Sequence, residues 1–145
     1  MGNDKDVKHA SVLIETLDGR LLFHHRDNKP DIVHPDYIGT FGGGVEAEEE
    51  YTHAAIRELK EELNLAVQEK DLMHFADYKK VLKDGNELQV KVFLVRGINA
   101  KELVLNPNEG QNIVSISRHD DWRGYKFTPL AKAMLEKYSS SFWCD

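Results

Sequence analysis

The residues of this chain best suited to chemistry are three glutamates, Glu58, Glu61 and Glu62. Positions three and four apart share one face of a helix, so these acids point the same way if their segment is helical. Ala55, Ile56, Leu59 and Leu63 form an apolar stripe beside them that can pin such a helix to a core. Like charges at this spacing repel. A divalent cation offsets the repulsion, and hard ions such as Mg²⁺ favour carboxylate oxygens while leaving sites for substrate phosphates. The competing reading is a solvated acidic face, the usual meaning of an acidic run. Just upstream, Gly42 and Gly43 allow a close backbone approach and dihedral angles other residues resist, with a plain turn as the alternative.

The order is Gly43, five residues, Glu49, seven residues, Arg57-Glu58-Leu59, one residue, Glu61-Glu62, one residue, Asn64-Leu65. It resembles the signature box of the Nudix hydrolases, including their MutT-like branch, in which a glycine stands at the position of Asn64. Asparagine tolerates the left-handed conformation of a helix C-cap, so the departure is mild. A second departure lies at the helix start, where Glu50 and Tyr51 hold positions the family often gives to Ser or Thr and Pro.

The resemblance implies an α/β/α sandwich with a mixed central sheet and a loop-helix-loop catalytic motif, in one domain spanning residues 1–145. It implies a Mg²⁺-dependent pyrophosphohydrolase, with Mn²⁺ as an alternative ion, cleaving the diphosphate linkage of a small nucleotide. Nucleoside triphosphates, nucleotide sugars and ADP-ribose are the substrate types. Glu58, Glu61 and Glu62 are the implied metal ligands. Glu58, Glu61 or another nearby carboxylate takes the proton from the attacking water. The Gly42 carbonyl is an implied further ligand, and Gly43 contributes its backbone beside the substrate. Glu49 and Arg57, off the three-glutamate face, are implied to brace the loop against the helix through a salt bridge.

Two residues outside the box belong to the same picture. Glu109, in a polar loop, matches the place where MutT-like members lend a carboxylate to the metal, as ligand or proton acceptor. An ordinary loop acid is the alternative. Arg26 ends a strand where family members hold a substrate phosphate, and guanidinium suits bidentate phosphate binding. A surface arginine at a strand end competes. His24 and His25 are adjacent on a strand and face opposite ways, so at most one faces the site and neither is expected to ligate. The stretch Trp122 to Phe127 is expected to pack the last helix rather than to stack a base.

The elements that must position these groups follow from periodicity and turn signals. Residues 7–16 and 20–26 predict two strands joined at Asp18-Gly19. Residues 27–37, with two prolines, predict a loop, and 38–41 a short approach to the glycines. A helix is expected from about Glu50 to Leu63. Residues 72–81 and 88–95 predict a second hairpin around Asp84-Gly85-Asn86, with Leu88, Val90, Val92 and Leu94 on one buried face. A loop at 104–111, a short strand at 113–116 and a helix at 128–137, capped by Thr128 with Pro129 first, complete the chain. The loops at 27–37 and 104–111 are where substrate selectivity is expected.

Composition bounds the rest. The chain has 145 residues, 41% apolar and 30% charged, which suits one globular domain. The formal charge of −6 disfavours a broad nucleic-acid surface, so no nucleic-acid polymer is expected as partner. It is compatible with a small anionic substrate, because a bound metal inverts the local field. No membrane span and no secretory signal are expected, and the single cysteine, Cys144, agrees with a reducing, cytoplasmic setting. A nucleotide sensor of the same fold, binding without turnover, is the alternative from another functional class.

Overall fold

Both faces of the strand at residues 7–16 are buried from Ala10 onward, and burial on two sides puts it at the centre of a sheet. The computed structural model describes residues 6–28, 36–108, 110 and 112–143. Its strands are β1 (Val7–Thr16), β2 (Leu21–His25), β3 (Ile38–Gly39), β4 (Phe41–Gly44), β5 (Met73–Val81), β6 (Glu87–Ile98) and β7 (Asn112–Ile116), with helices α1 (Tyr51–Leu63) and α2 (Pro129–Phe142). The sheet runs β3-β2-β1-β6-β5, with β4 added beside β1 and β7 beside β2. The β1–β6 pair is parallel and the other pairs are antiparallel, so the sheet is mixed.

Side-chain alternation sends β1 residues to two separate cores. Ala10, Val12 and Ile14 meet Ala54, Ala55, Leu59 and Leu63 of α1. Leu13 joins Val90, Val92, Leu94 and the α2 residues Ala131, Met134, Leu135 and Tyr138. A helix on each face of a mixed sheet is the expected α/β/α sandwich. In β6 the expectation of a single buried face is corrected: Phe93 and Val95 are 5% and 1% exposed, packed on the α1 side. The central position of β6, between β1 and β5, closes both of its faces.

The ends of α1 explain how the box tolerates its departures. Asn64 takes φ 53° and ψ 32°, and its N–H and that of Leu65 close the last turn onto Lys60 and Leu59. At the start, Glu50 offers no side-chain cap. Tyr51 anchors the first turn instead, packed on the α1-side core with the Lys91 ammonium 5.1 Å from its ring centre. Helix α2 begins as expected, with the Thr128 hydroxyl accepting from the Ala131 N–H at 3.2 Å, but it runs on past Lys137 to Phe142. Tyr138 in that extension is buried and donates to the Glu15 carboxylate, which also accepts from Arg96 Nε at 2.9 Å. Trp122 packs beside Trp143 and Phe127 edge-on against Phe23, so the 122–127 stretch supports α2 as expected. Among the described residues no helix is long and apolar enough to cross a membrane.

Candidate active site

Two glycines bring the acids of α1 against the sheet. Gly42 lies at φ +129°, and a Cβ there would sit 2.0 Å from the Ala10 carbonyl oxygen, so only glycine lets β4 lie this close to β1. A Cβ on Gly43 would fall 2.5 Å from the Glu58 carboxylate, which occupies the space of the missing side chain. The Gly42 N–H donates to Glu62 Oε1 at 2.8 Å. Helix and strand are thus joined by side chain on backbone at two successive residues.

The three glutamates project from one helix and differ in their environments. Glu62 is buried, 5% exposed, between Gly42 and His24. The Glu58 side chain is 15% exposed and that of Glu61 48%. The cause is helix rotation: successive positions 100° apart turn one acid into the sheet and leave its neighbour at the rim.

Arg57 is more central than its place on the helix foretold. Its Nε and Nη2 grip the two oxygens of Glu49 at 3.0 Å each, and Nη2 also donates to the Gly44 carbonyl at 2.9 Å. Its Nη1 reaches Glu58 at 3.0 Å and lies 3.6 Å from Glu61. The brace between loop and helix is therefore present, and the same guanidinium also orients the rim acids. A long arginine side chain can span the angle that helical geometry puts between these positions. The Arg57 bonds, helped by the Glu46 N–H, hold the Glu49 carboxyl down to about 2. The reciprocal bonds raise Arg57 further above its already high value.

The two glycines also line a cleft of about 410 Å³. Arg26, Gly42, Gly43, Tyr78, Lys80 and Leu130 are among the residues that line it. Arg26 thus lines the same cleft as the two glycines. His9 and Ser11 of β1 also line the cleft. Burial first, and then nearby Arg26, push the His9 imidazole below its usual value, which favours its neutral form. Sequence reading missed His9, Ser11, Tyr78 and Lys80. The available signal was polar residues sharing one parity on strands whose other members are apolar.

Of the adjacent histidines, His24 is the one that faces the acids, with Nδ1 3.8 Å from Glu62 Oε2 and its ring stacked on Phe41. His25 turns to Asp36 and Asn112, at 2.9 and 3.0 Å. Glu109 lies outside the described residues, as does the stretch 29–35 of the other expected selectivity loop. The described part of the 104–110 loop is tied to the end of α1: Asn106 donates from its backbone N–H to the Glu62 carbonyl at 2.8 Å, and Val104 to that of Leu63 at 3.1 Å.

As the side chains lie, no group of three His, Cys, Asp or Glu among the described residues stands close enough to hold a metal. The chemistry of the donors still suits a hard cation, since Glu58, Glu61 and Glu62 offer only carboxylate oxygens. The cradle at Gly43, filled by the Glu58 carboxylate, gives oxygen donors a place beside an open backbone.

A family model of the NUDIX domain matches residues 6–141. The chain belongs to the Nudix family. Its fold is that of the MutT NUDIX hydrolase from Burkholderia pseudomallei, at a TM-score of 0.75, 20% identity, and coverage of 92% of this chain and 98% of that one. The MutT protein from Methanosarcina mazei Go1 superposes with a TM-score of 0.75 at 16% identity, covering 97% and 98% of the two chains. An Ap4A hydrolase from C. elegans, in a binary complex, does so at 0.69 and 24% identity, covering 94% and 98%. A comparison with curated proteins returns no match. The Nudix box thus coincides with the Gly43–Glu58 contact and the Arg57 fork.

Proposed function

We propose that this Nudix protein is a Mg²⁺-dependent pyrophosphohydrolase that cleaves the diphosphate linkage of a small nucleotide. The observation that carries the reading is the position of Gly43, which lines the cleft and also has the Glu58 carboxylate resting against it. A substrate whose diphosphate lies along Gly42 and Gly43 meets the acids of α1 and the Arg26 guanidinium together.

Glu58, Glu61 and Glu62, with the Gly42 carbonyl, are the groups that would hold the cation, and Glu109 is a further candidate. When bound, Mg²⁺ or Mn²⁺ neutralises diphosphate charge and acidifies water. Arg26 binds a phosphate oxygen and fixes the chain of phosphates in the cleft. A water oxygen attacks one phosphorus, the bridging P–O bond breaks, and the leaving phosphate departs with the bonding electrons. The water proton passes to a carboxylate of the α1 rim, Glu58 or Glu61. Arg57 holds both of those acids in place, and Glu49 holds Arg57.

A panel of nucleoside triphosphates, nucleotide sugars, ADP-ribose and dinucleoside tetraphosphates, assayed for phosphate or pyrophosphate release with and without Mg²⁺, tests this reading. Metal-dependent turnover of at least one member is expected. Saturable binding across the panel with no turnover would assign the chain to nucleotide sensing instead.

A further inference from the structure

Building on the hydrolase reading, we infer that His24 is a positioning residue, the shared seat of the buried Glu62 carboxylate and of the loop at Gly110. Contacts from Glu62, Gly110 and Phe41 meet at this one ring. Its Nδ1 edge faces Glu62 Oε2 at 3.8 Å, an electrostatic contact longer than a hydrogen bond. The opposite edge lies under Gly110 so closely that a Cβ there would fall 1.8 Å from Nε2. One flat face stacks on Phe41, with ring centres 5.2 Å apart and planes 19° apart. On the backbone, His24 pairs with Gly39 of β3 and with Ile113 of β7.

The ring therefore has little freedom: two strands fix its backbone, Phe41 fixes its plane, and Gly110 closes its outer edge. A ring so held restricts where Glu62 Oε2 can go, while the Gly42 N–H holds Oε1 at 2.8 Å. Glu62 is thus oriented from both oxygens. Gly110 lies at φ +104° and donates its N–H to Asp27 Oδ2 at 3.2 Å. Glycine is required there twice over, for its dihedral angle and for the space taken by His24. The consequence is a mechanical link. Displacing Gly110 moves the His24 ring, and moving the ring releases one oxygen of Glu62. Partners behind a metal-binding carboxylate act on affinity without touching the ion.

The test uses the full chain and Mn²⁺ alone, followed by electron paramagnetic resonance of the free ion, with thermal melting and steady-state kinetics in parallel. His24→Ala and Gly110→Ala are each expected to weaken Mn²⁺ binding by about 10- to 100-fold and to lower kcat more than they raise KM. His24→Asn, whose amide nitrogen can stand where Nδ1 stands, is expected to recover most of the lost affinity. In a double-mutant cycle, Gly110→Ala should cost less in the His24→Ala background, because the ring it strikes is gone. Mn²⁺ affinity in His24→Ala within twofold of an active wild type overturns the positioning role and leaves the hydrolase reading standing. A wild type that neither binds Mn²⁺ nor hydrolyses nucleotides overturns both. If His24→Ala does not fold, Gly110→Ala decides: unchanged Mn²⁺ affinity in that variant overturns the link.

Discussion

Arg57 holds Glu49 through two parallel hydrogen bonds of 3.0 Å, and its remaining nitrogen holds Glu58 at the same distance. One guanidinium therefore joins the loop that leads into α1 to the acid that rests on Gly43. Fork geometry matters more than charge in this arrangement, since a lysine offers a single point of contact. Arg57→Lys is expected to lower kcat/KM by about tenfold or more through misplacement of Glu58. Retention of full activity in Arg57→Lys, measured by steady-state kinetics, would show that Glu58 needs no such support.

The same pair gives acid stability a defined window. The Glu49 carboxyl, at 4.5 ordinarily, is held down to about 2 in the folded protein. A group depressed on folding binds fewer protons folded than unfolded, so its contribution is complete above pH 4.5 and fades as pH falls toward 2. The melting temperature of the wild type should therefore fall more steeply across that interval than that of Glu49→Gln. Parallel slopes would contradict the assignment.

The two glycines of β4 should separate stability from activity. In Gly42→Ala the new methyl strikes the Ala10 carbonyl at an unfavourable positive φ, at a cost of at least about 2 kcal/mol. In Gly43→Ala the atoms nearest the methyl are those at the end of the Glu58 side chain, which can swing away. Denaturant melts of Gly43→Ala should lie within about 1 kcal/mol of wild type, while kcat falls about 100-fold. An active Gly43→Ala enzyme would detach Glu58 from the reaction.

What the sequence made legible here was local. The Asn64 cap, the Thr128 cap and the turns of the two hairpins each depend on residues within a few positions of one another, and the box is a single continuous stretch. The cleft was not legible, because His9 and Ser11 meet Tyr78 and Lys80 only through the registers of β1 on β6 and β6 on β5. Nor was the burial of Phe93, which follows from the central place of β6. The contact of His24 with Glu62 joins residues that are remote in sequence, and the close seat of Gly110 on the same ring joins a loop to strand β2 with nothing local to announce it. The reach of Arg57 to Glu58 and Glu61 was not legible either, since helical wheels locate Cβ atoms and take no account of side-chain length.

Asn64 offers a clean test of the departure from the box. Its left-handed conformation disfavours an ordinary side chain by about 1 kcal/mol or more, whereas glycine adopts it freely. Asn64→Ala should lower stability by that amount, and Asn64→Gly should match the wild type to within about 0.5 kcal/mol. Chemical denaturation of the three proteins measures both. Equal stability of the alanine and glycine variants would show that the cap conformation carries no weight.

The most direct measurement is release of phosphate or pyrophosphate from the nucleotide panel by the wild type and by Glu58→Gln plus Glu61→Gln, with Mg²⁺ present and after chelation. Turnover that requires the ion, and that falls at least about 100-fold in the double variant while its melting temperature holds, is the predicted result. Turnover that survives chelation, or that persists undiminished in the double variant, would contradict the claim that the acids of α1 carry the reaction.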